Sequence, residues 1–234
     1  MAGKRLERIL AALSAVAAGE QSTARLCEVA AEVISMSGAG IMLLSADISR
    51  ISLCSSNHVS AVIEDLQFTL GEGPGIDAYR DDRPVLEPDL ADPIIPRWVA
   101  FTPPAVHAGA RAVFGFPVQI GVVHMGSLNL YRDRPGAMTD DQHADSLVMA
   151  DVAARAMVAM QADAPPGALA QELEAGANLR FVVHQASGMV SDQLGVSVGE
   201  ALVRLKAFAF SSSQLLDDVA RDVVSRRLRL DGAA

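Results

Sequence analysis

The side chains best placed to do chemistry lie near the end of the chain. Between residues 178 and 230 stand seven basic side chains (Arg180, Arg204, Lys206, Arg221, Arg226, Arg227, Arg229) against five acidic ones (Asp192, Glu200, Asp217, Asp218, Asp222), a balance of +2. The whole chain holds 19 Lys plus Arg and 28 Asp plus Glu, a net charge of −9, so the remainder carries −11. That sign excludes a protein that grips nucleic acid with its entire surface and confines phosphate contact to the local cluster. Cations neutralise phosphates, and splayed bases need donors, acceptors and flat groups; Arg180, Gln185 and Lys206 supply them. Taken by charge alone, scattered basic residues on short helices read first as a solvated face.

Other chemistry is thinly represented. Cys27 and Cys54 sit inside apolar runs without CxxC spacing, which argues for two buried thiols in a reducing compartment and against a disulfide framework or a zinc site. His58, His107, His124, His143 and His184 show no i, i+4 pairing, so no metal site is expected. No basic segment followed by an apolar run and a small-residue cleavage site opens the sequence, and the expectation is a cytoplasmic protein. Ala112 to Tyr131 lacks Asp, Glu, Lys and Arg, but Phe114, Phe116, Val118 and Ile120 alternate as one face of a strand, so it reads as a hairpin and not a membrane span.

The elements that position these residues follow from periodicity. Leu6, Ile9, Leu10, Leu13 and Val16 stripe one helix and Leu26, Val29, Ala30 and Val33 a second, with Gly19 between them and Gly38 closing the second. Runs at 40–45 and 50–56 suit an antiparallel pair, and an amphipathic stretch follows at 59–66. The Gly- and Pro-rich stretch that follows reads as an ordered loop with a helical turn or two. Strands at 112–119 and 121–131 precede a helix capped by Thr139 and running to Asp163. This order gives an α+β fold with helices gathered on one side of an antiparallel sheet. Two prolines in ADAPPGA, 162–168, break the chain into two domains, 1–163 and 168–230. The second domain reads as three helices: 169–194, one from the S-x-x-E box of Ser197 and Glu200 to the serines at 211–213, and 214–228, with Gly195 at a left-handed C′ position.

Two resemblances attach to these strings. LGEGPGIDAYRDDRPVLEPDL, GARAVFGFPVQIG and MGSLNLYRDRPGAMTDDQ together resemble a GAF domain of the actinobacterial type over about residues 5–162. That resemblance implies small-molecule or redox sensing, with the cofactor undetermined. The expected ligand pocket lies between the sheet and the loops spanning Gly71 to Ala110. RFVVHQASGMVSDQLGVSVGEALVRLKAFAF followed by LLDDVARDVVSRRLRL resembles the ANTAR domain, a small three-helix all-α RNA-binding domain, from Arg180 to Leu228. Arg180, Val183, Ala186, Gly188, Glu200, Ala201, Leu205, Lys206, Ala209, Val219 and Ala220 stand where that pattern places them. Ser187 stands where the family usually has lysine, so Ser187→Lys is expected to strengthen the RNA grip.

The resemblance implies a transcription antitermination regulator that binds paired hairpins with six-nucleotide loops in nascent RNA. Together, the basic cluster and the resemblance give a candidate RNA-binding set of Arg180, Gln185, Ala186, Ser187, Gly188, Arg204, Lys206 and Arg221, with Ala186 and Gly188 permitting close approach. A homodimer is expected, with the helix from Thr139 to Asp163 at its seam: Leu147, Ala150, Ala154, Met157 and Gln161 form one stripe and Met149, Val152, Ala153, Ala156 and Met160 another, one covering the sheet and the other meeting a partner. No enzymatic activity is expected. Three other readings stay open: a GAF-type free methionine sulfoxide reductase using cysteine thiolates, a helix-turn-helix DNA binder, and a sensing or protein-interaction adaptor with a degenerate RNA site.

Overall fold

The computed structural model describes residues 2–14, 23–44, 50–93, 95–163, 178–212 and 214–230; the side chains of 2, 50, 51, 160–163, 178–181 and 217 lie outside that description. The chain divides into two compact units, 1–164 and 165–234.

The first unit is built on a five-stranded, wholly antiparallel sheet in the order β2-β1-β5-β4-β3. Its strands are β1 (Gly38–Leu44), β2 (Arg50–Ser55), β3 (Val85–Glu87), β4 (Ala112–Ile120) and β5 (Val123–Arg132). The stretch without charges is the β4–β5 hairpin, with Phe114 opposite Leu130 and Phe116 opposite Leu128. Its turn is two residues, and Gly121 holds φ 59°, a conformation that favours glycine.

Strand alternation divides the side chains between two faces. Ala39, Ile41, Phe114, Phe116, Val118, Leu128 and Leu130 point to one face, which α2 (Thr23–Ile34) and α6 (Asp140–Asp163) cover, with α1 (Ala2–Ser14) packed on both helices. On the other face, α3 (His58–Leu70), α4 (Pro74–Asp81) and α5 (Thr102–His107) pack over Val113 and Tyr131 with Leu90, Trp98 and Phe101. Helices therefore flank both faces, not one as the element order suggested. The Gly- and Pro-rich segment makes this possible: the backbone of Pro74 approaches Gly115 so closely that a Cβ there would collide with its carbonyl.

Local signals set the helix ends. Thr139 Oγ1 accepts from the Gln142 amide at 3.2 Å while Gln142 Oε1 accepts from the Thr139 amide at 3.1 Å, a reciprocal cap on α6. Arg5 joins α1 to α6 through Asp141 at 2.6 Å and Asp145 at 2.7 Å. Ser35, at φ 58°, closes α2, with the Met36 amide donating to the Ala31 carbonyl. Gly38, expected to close that helix, already belongs to β1, and Gly19 lies outside the described residues.

Two further expectations are corrected. Cys27 and Cys54 form a disulfide, with Cα atoms 6.0 Å apart, because α2 lies across β1 and β2 and brings the two residues together. On α6, Met149, Ala150, Val152, Ala153, Ala154 and Met157 are all buried within the unit, and Ala156 packs against the same core. One stripe was expected to cover the sheet and the other to meet a partner; residues of both pack largely within the unit.

The second unit is three helices in mutual contact: α7 (Asn178–Leu194), α8 (Val198–Ser211) and α9 (Leu216–Val224). Val183, Val190, Ala201, Leu205, Leu216, Val219, Ala220 and Val223 are buried. Gly195 holds φ 64° just past α7, and Ser197 caps α8 by accepting from the Glu200 amide at 3.2 Å. The reciprocal half of the expected capping box is replaced: the Glu200 carboxylate pairs with Arg204 at 2.8 Å. The third helix stops at Val224, short of Leu228, because Arg226 turns left-handed at φ 60° and the amides of Arg227 and Leu228 donate to the Asp222 carbonyl. The residues expected to begin the first helix at 169 lie outside the described residues.

Candidate functional site

Beneath α3 the first unit buries a set of polar side chains. Asn57 caps α3 in a reciprocal box with Ser60, and the Tyr131 hydroxyl donates to Asn57 Oδ1 at 3.1 Å, fixing the helix over the sheet. Residues 60, 64 and 67 fall on the inward stripe, so Ser60, Glu64 and Gln67 are buried with Ser127 and Asn129 of β5. Asn129 Nδ2 donates to Glu64 Oε1 at 2.8 Å. Gln67 Oε1 accepts from the Gly75 amide at 2.7 Å and so caps α4, whose own N-cap Gly73 offers no side chain.

Glycines make room for this cluster: a Cβ at Gly40 would collide with Glu64, at Gly73 with Gln67, and at Gly75 with Asn129. The pocket expected between the sheet and the 71–110 loops is therefore filled here by the chain's own side chains. Three of their atoms, Glu64 Oε2, Gln67 Nε2 and Asn129 Oδ1, have no hydrogen-bond partner. Burial pushes the Glu64 carboxyl up to about 8, against a lesser opposing pull from the Asn129 hydrogen bond. The cluster is thus neutral at physiological pH and offers unmet donors and acceptors to a small polar guest. The loop above is held by its own contacts: Trp98 Nε1 donates to Asp77 at 2.9 Å, and Glu72 accepts from the amides of Ala100 and Phe101.

In the sequence an amphipathic stretch is placed at 59–66, and neither Glu64 nor Gln67 is singled out. Their signal was present in the spacing of polar residues at 60, 64 and 67, which matches a helical face.

In the second unit the sequence-derived set separates by burial. Gln185, Gly188, Arg204 and Arg221 are exposed and Lys206 is half-buried. Arg180 opens α7, but its side chain lies outside the described residues. Ala186 and Ser187 are fully buried, and the Ser187 hydroxyl donates to the Val183 carbonyl at 2.8 Å, so neither can touch a ligand. Gly188 is exposed, and a Cβ there would meet only open space within the chain. Arg204 pairs with Glu200 at 2.8 Å and Arg221 with Asp218 at 3.4 Å, exposed i, i+4 and i, i+3 pairs that a phosphate can displace at little cost.

The burial of Ser187 reverses one expectation. A lysine there places an ammonium group inside a three-helix core, so Ser187→Lys is expected to destabilise the unit by about 2 kcal/mol or more and to weaken binding, not strengthen it. Urea unfolding followed by circular dichroism checks this; a variant as stable as wild type contradicts it.

The fold of the first unit is shared with solved structures. The GAF domain from Acinetobacter phosphoenolpyruvate-protein phosphotransferase superposes with a TM-score of 0.52 at 13% identity, over 69% of this chain and 96% of that one. The GAF domain from a phosphoenolpyruvate-protein phosphotransferase of Coxiella burnetii gives a TM-score of 0.51 at 14% identity, over 69% and 95%. The chain therefore carries a GAF-type fold, and at such identities the likeness is one of fold. No protein-family model and no curated protein sequence matches it. Among the described residues no helix is long and apolar enough to cross a membrane, and no cluster of ligating side chains could hold a metal.

Proposed function

We propose that this protein is a transcription antitermination regulator in which a GAF-type sensor unit controls a three-helix, ANTAR-like unit that binds RNA hairpin loops as a homodimer. The observation that carries this reading is the partition of residues in the second unit. The apolar positions of the resemblance (Val183, Ala186, Ala201, Leu205, Ala209, Val219, Ala220) are buried, whereas Gln185, Arg204 and Arg221 stay exposed. A local cationic surface on a chain of net charge −9 is what a selective phosphate contact requires. The sensor reading rests on the GAF-type fold and on the buried polar cluster with its three unpartnered atoms. Cys27 and Cys54 lie on the opposite face of the sheet, joined to each other among apolar side chains, which favours a regulator over a thiol-dependent reductase.

Removing Arg180 and Lys206 together tests the RNA site. The folded double alanine variant is expected to bind six-nucleotide-loop hairpins at least about tenfold more weakly, with a salt dependence reduced by about one unit for each phosphate no longer neutralised. Unchanged affinity sinks this site.

A further inference from the structure

The C-terminal segment of the second unit does more than end a helix. After Arg226 the chain folds back along α7: Leu230 is buried, and its amide donates to Gln193 Oε1 at 3.3 Å. This return encloses a half-open cleft of about 320 Å³ lined by Met189, Asp192, Gln193, Arg226 and Arg229. Its size is at the lower end of small-molecule sites, about 300–1,000 Å³.

The lining is chemically mixed. Met189 offers an apolar surface, Gln193 an amide and Asp192 a carboxylate, with two guanidiniums beside them. Arg227 turns away to pair with Asp222 at 2.7 Å, whereas the Arg226 guanidinium makes no ion pair or hydrogen bond with any described residue. Arg226 also holds a left-handed backbone, a conformation that costs free energy in a non-glycine residue and clusters at binding sites.

Two arginines and one aspartate sum to +1, which complements the single charge of a phosphodiester and not the multiple charge of a nucleoside polyphosphate. A bare anion would meet the Asp192 carboxylate and be repelled; a base carrying an exocyclic amine gives that carboxylate a donor to accept from. We infer that this cleft is a nucleotide site, which receives one unpaired base of single-stranded RNA against Met189. There Asp192 accepts from the base's exocyclic amine and Arg226 holds the adjoining phosphodiester. The inference rests on the RNA reading above and adds the residues that select the base, none of which belongs to the set expected from the resemblance.

The test is fluorescence anisotropy of the full chain with labelled RNA hairpins of one stem whose six-nucleotide loops are all adenine, all cytosine or all uracil. Adenine and cytosine loops are expected to bind about tenfold or more tighter than uracil, which has no exocyclic amine. Arg226→Gly relieves the left-handed backbone while deleting the cation, so the fold is retained. It is expected to lose about tenfold in affinity for every loop and about one unit of salt slope. Asp192→Asn, whose amide can also donate to a uracil carbonyl, is expected to narrow the preference against uracil. If wild type binds but Arg226→Gly and Asp192→Asn match it in affinity, slope and base preference, the cleft assignment is overturned and the RNA reading stands. If wild type binds none of the hairpins, the RNA reading is overturned and this inference with it.

Discussion

Reduction of the Cys27–Cys54 disulfide is expected to lower the melting temperature of the first unit by about 7–14 °C. The bond closes a loop spanning 27 residues of sequence, and in the chain-entropy treatment opening it returns about 3.5 kcal/mol of conformational freedom to the unfolded chain. For a unit of this size each kcal/mol corresponds to about 2–4 °C. The link ties α2 to β2, an edge strand whose only described strand partner is β1. Calorimetry with and without a phosphine reductant measures the shift, with a Cys27→Ala, Cys54→Ala variant as the control on which reductant has no effect. Two thiols that titrate in unfolded protein without reductant would contradict the bond.

The second large effect belongs to Glu64. Folded, this carboxyl keeps its proton up to about pH 8, whereas its ordinary value is 4.5. Between those values the folded state binds more protons than the unfolded one, so stability is fully present below about 4.5, falls as pH rises and levels off above about 8. The displacement corresponds to at most about 5 kcal/mol across the interval. Glu64→Gln keeps the shape and an acceptor for Asn129 and removes the titration. Urea unfolding at a series of pH values between 5 and 9 should therefore show wild type losing stability relative to Glu64→Gln as pH rises. Parallel curves would mean that Glu64 is ionised or solvated in the folded protein. A guest that supplies a donor to Glu64 Oε2 would lower this carboxyl's proton affinity, and so flatten the wild-type curve.

These two effects also mark where the sequence was informative. Features set by local periodicity were legible: the alternation of Phe114, Phe116 and Val118 in a stretch without charge predicts β4, and Thr139, Gly195 and Ser197 mark helix ends by chemistry confined to one turn. Features set by tertiary approach were not. Cys27 and Cys54 have no local motif, and only the packing of α2 on the sheet joins them. Glu64 and Asn129 are 65 residues apart and meet because glycines at 40 and 75 let backbone and side chain approach. Three-residue β3 and six-residue α5 are too short for periodicity to reveal.

In the second unit the helices were readable, but which face each residue takes was not. Ser187 looked like a surface substitute for lysine; its hydroxyl instead satisfies the Val183 carbonyl one turn back inside the core. Arg226 and Arg229 were visible only as members of a basic string. A left-handed turn at Arg226 is what brings them to Asp192 and Gln193, and nothing in SRRLRL announces it.

Recognition of RNA by the second unit is the central claim. Its most direct test is the affinity of the full chain, at one salt concentration, for a hairpin RNA with a six-nucleotide loop and for duplex DNA of the same stem sequence. Hairpin binding is expected to be at least about a hundredfold tighter than duplex binding, because the proposed contacts are to exposed loop bases and not to the stem. Duplex DNA bound as tightly as the hairpin, or tighter, would contradict the claim and point to the helix-turn-helix reading.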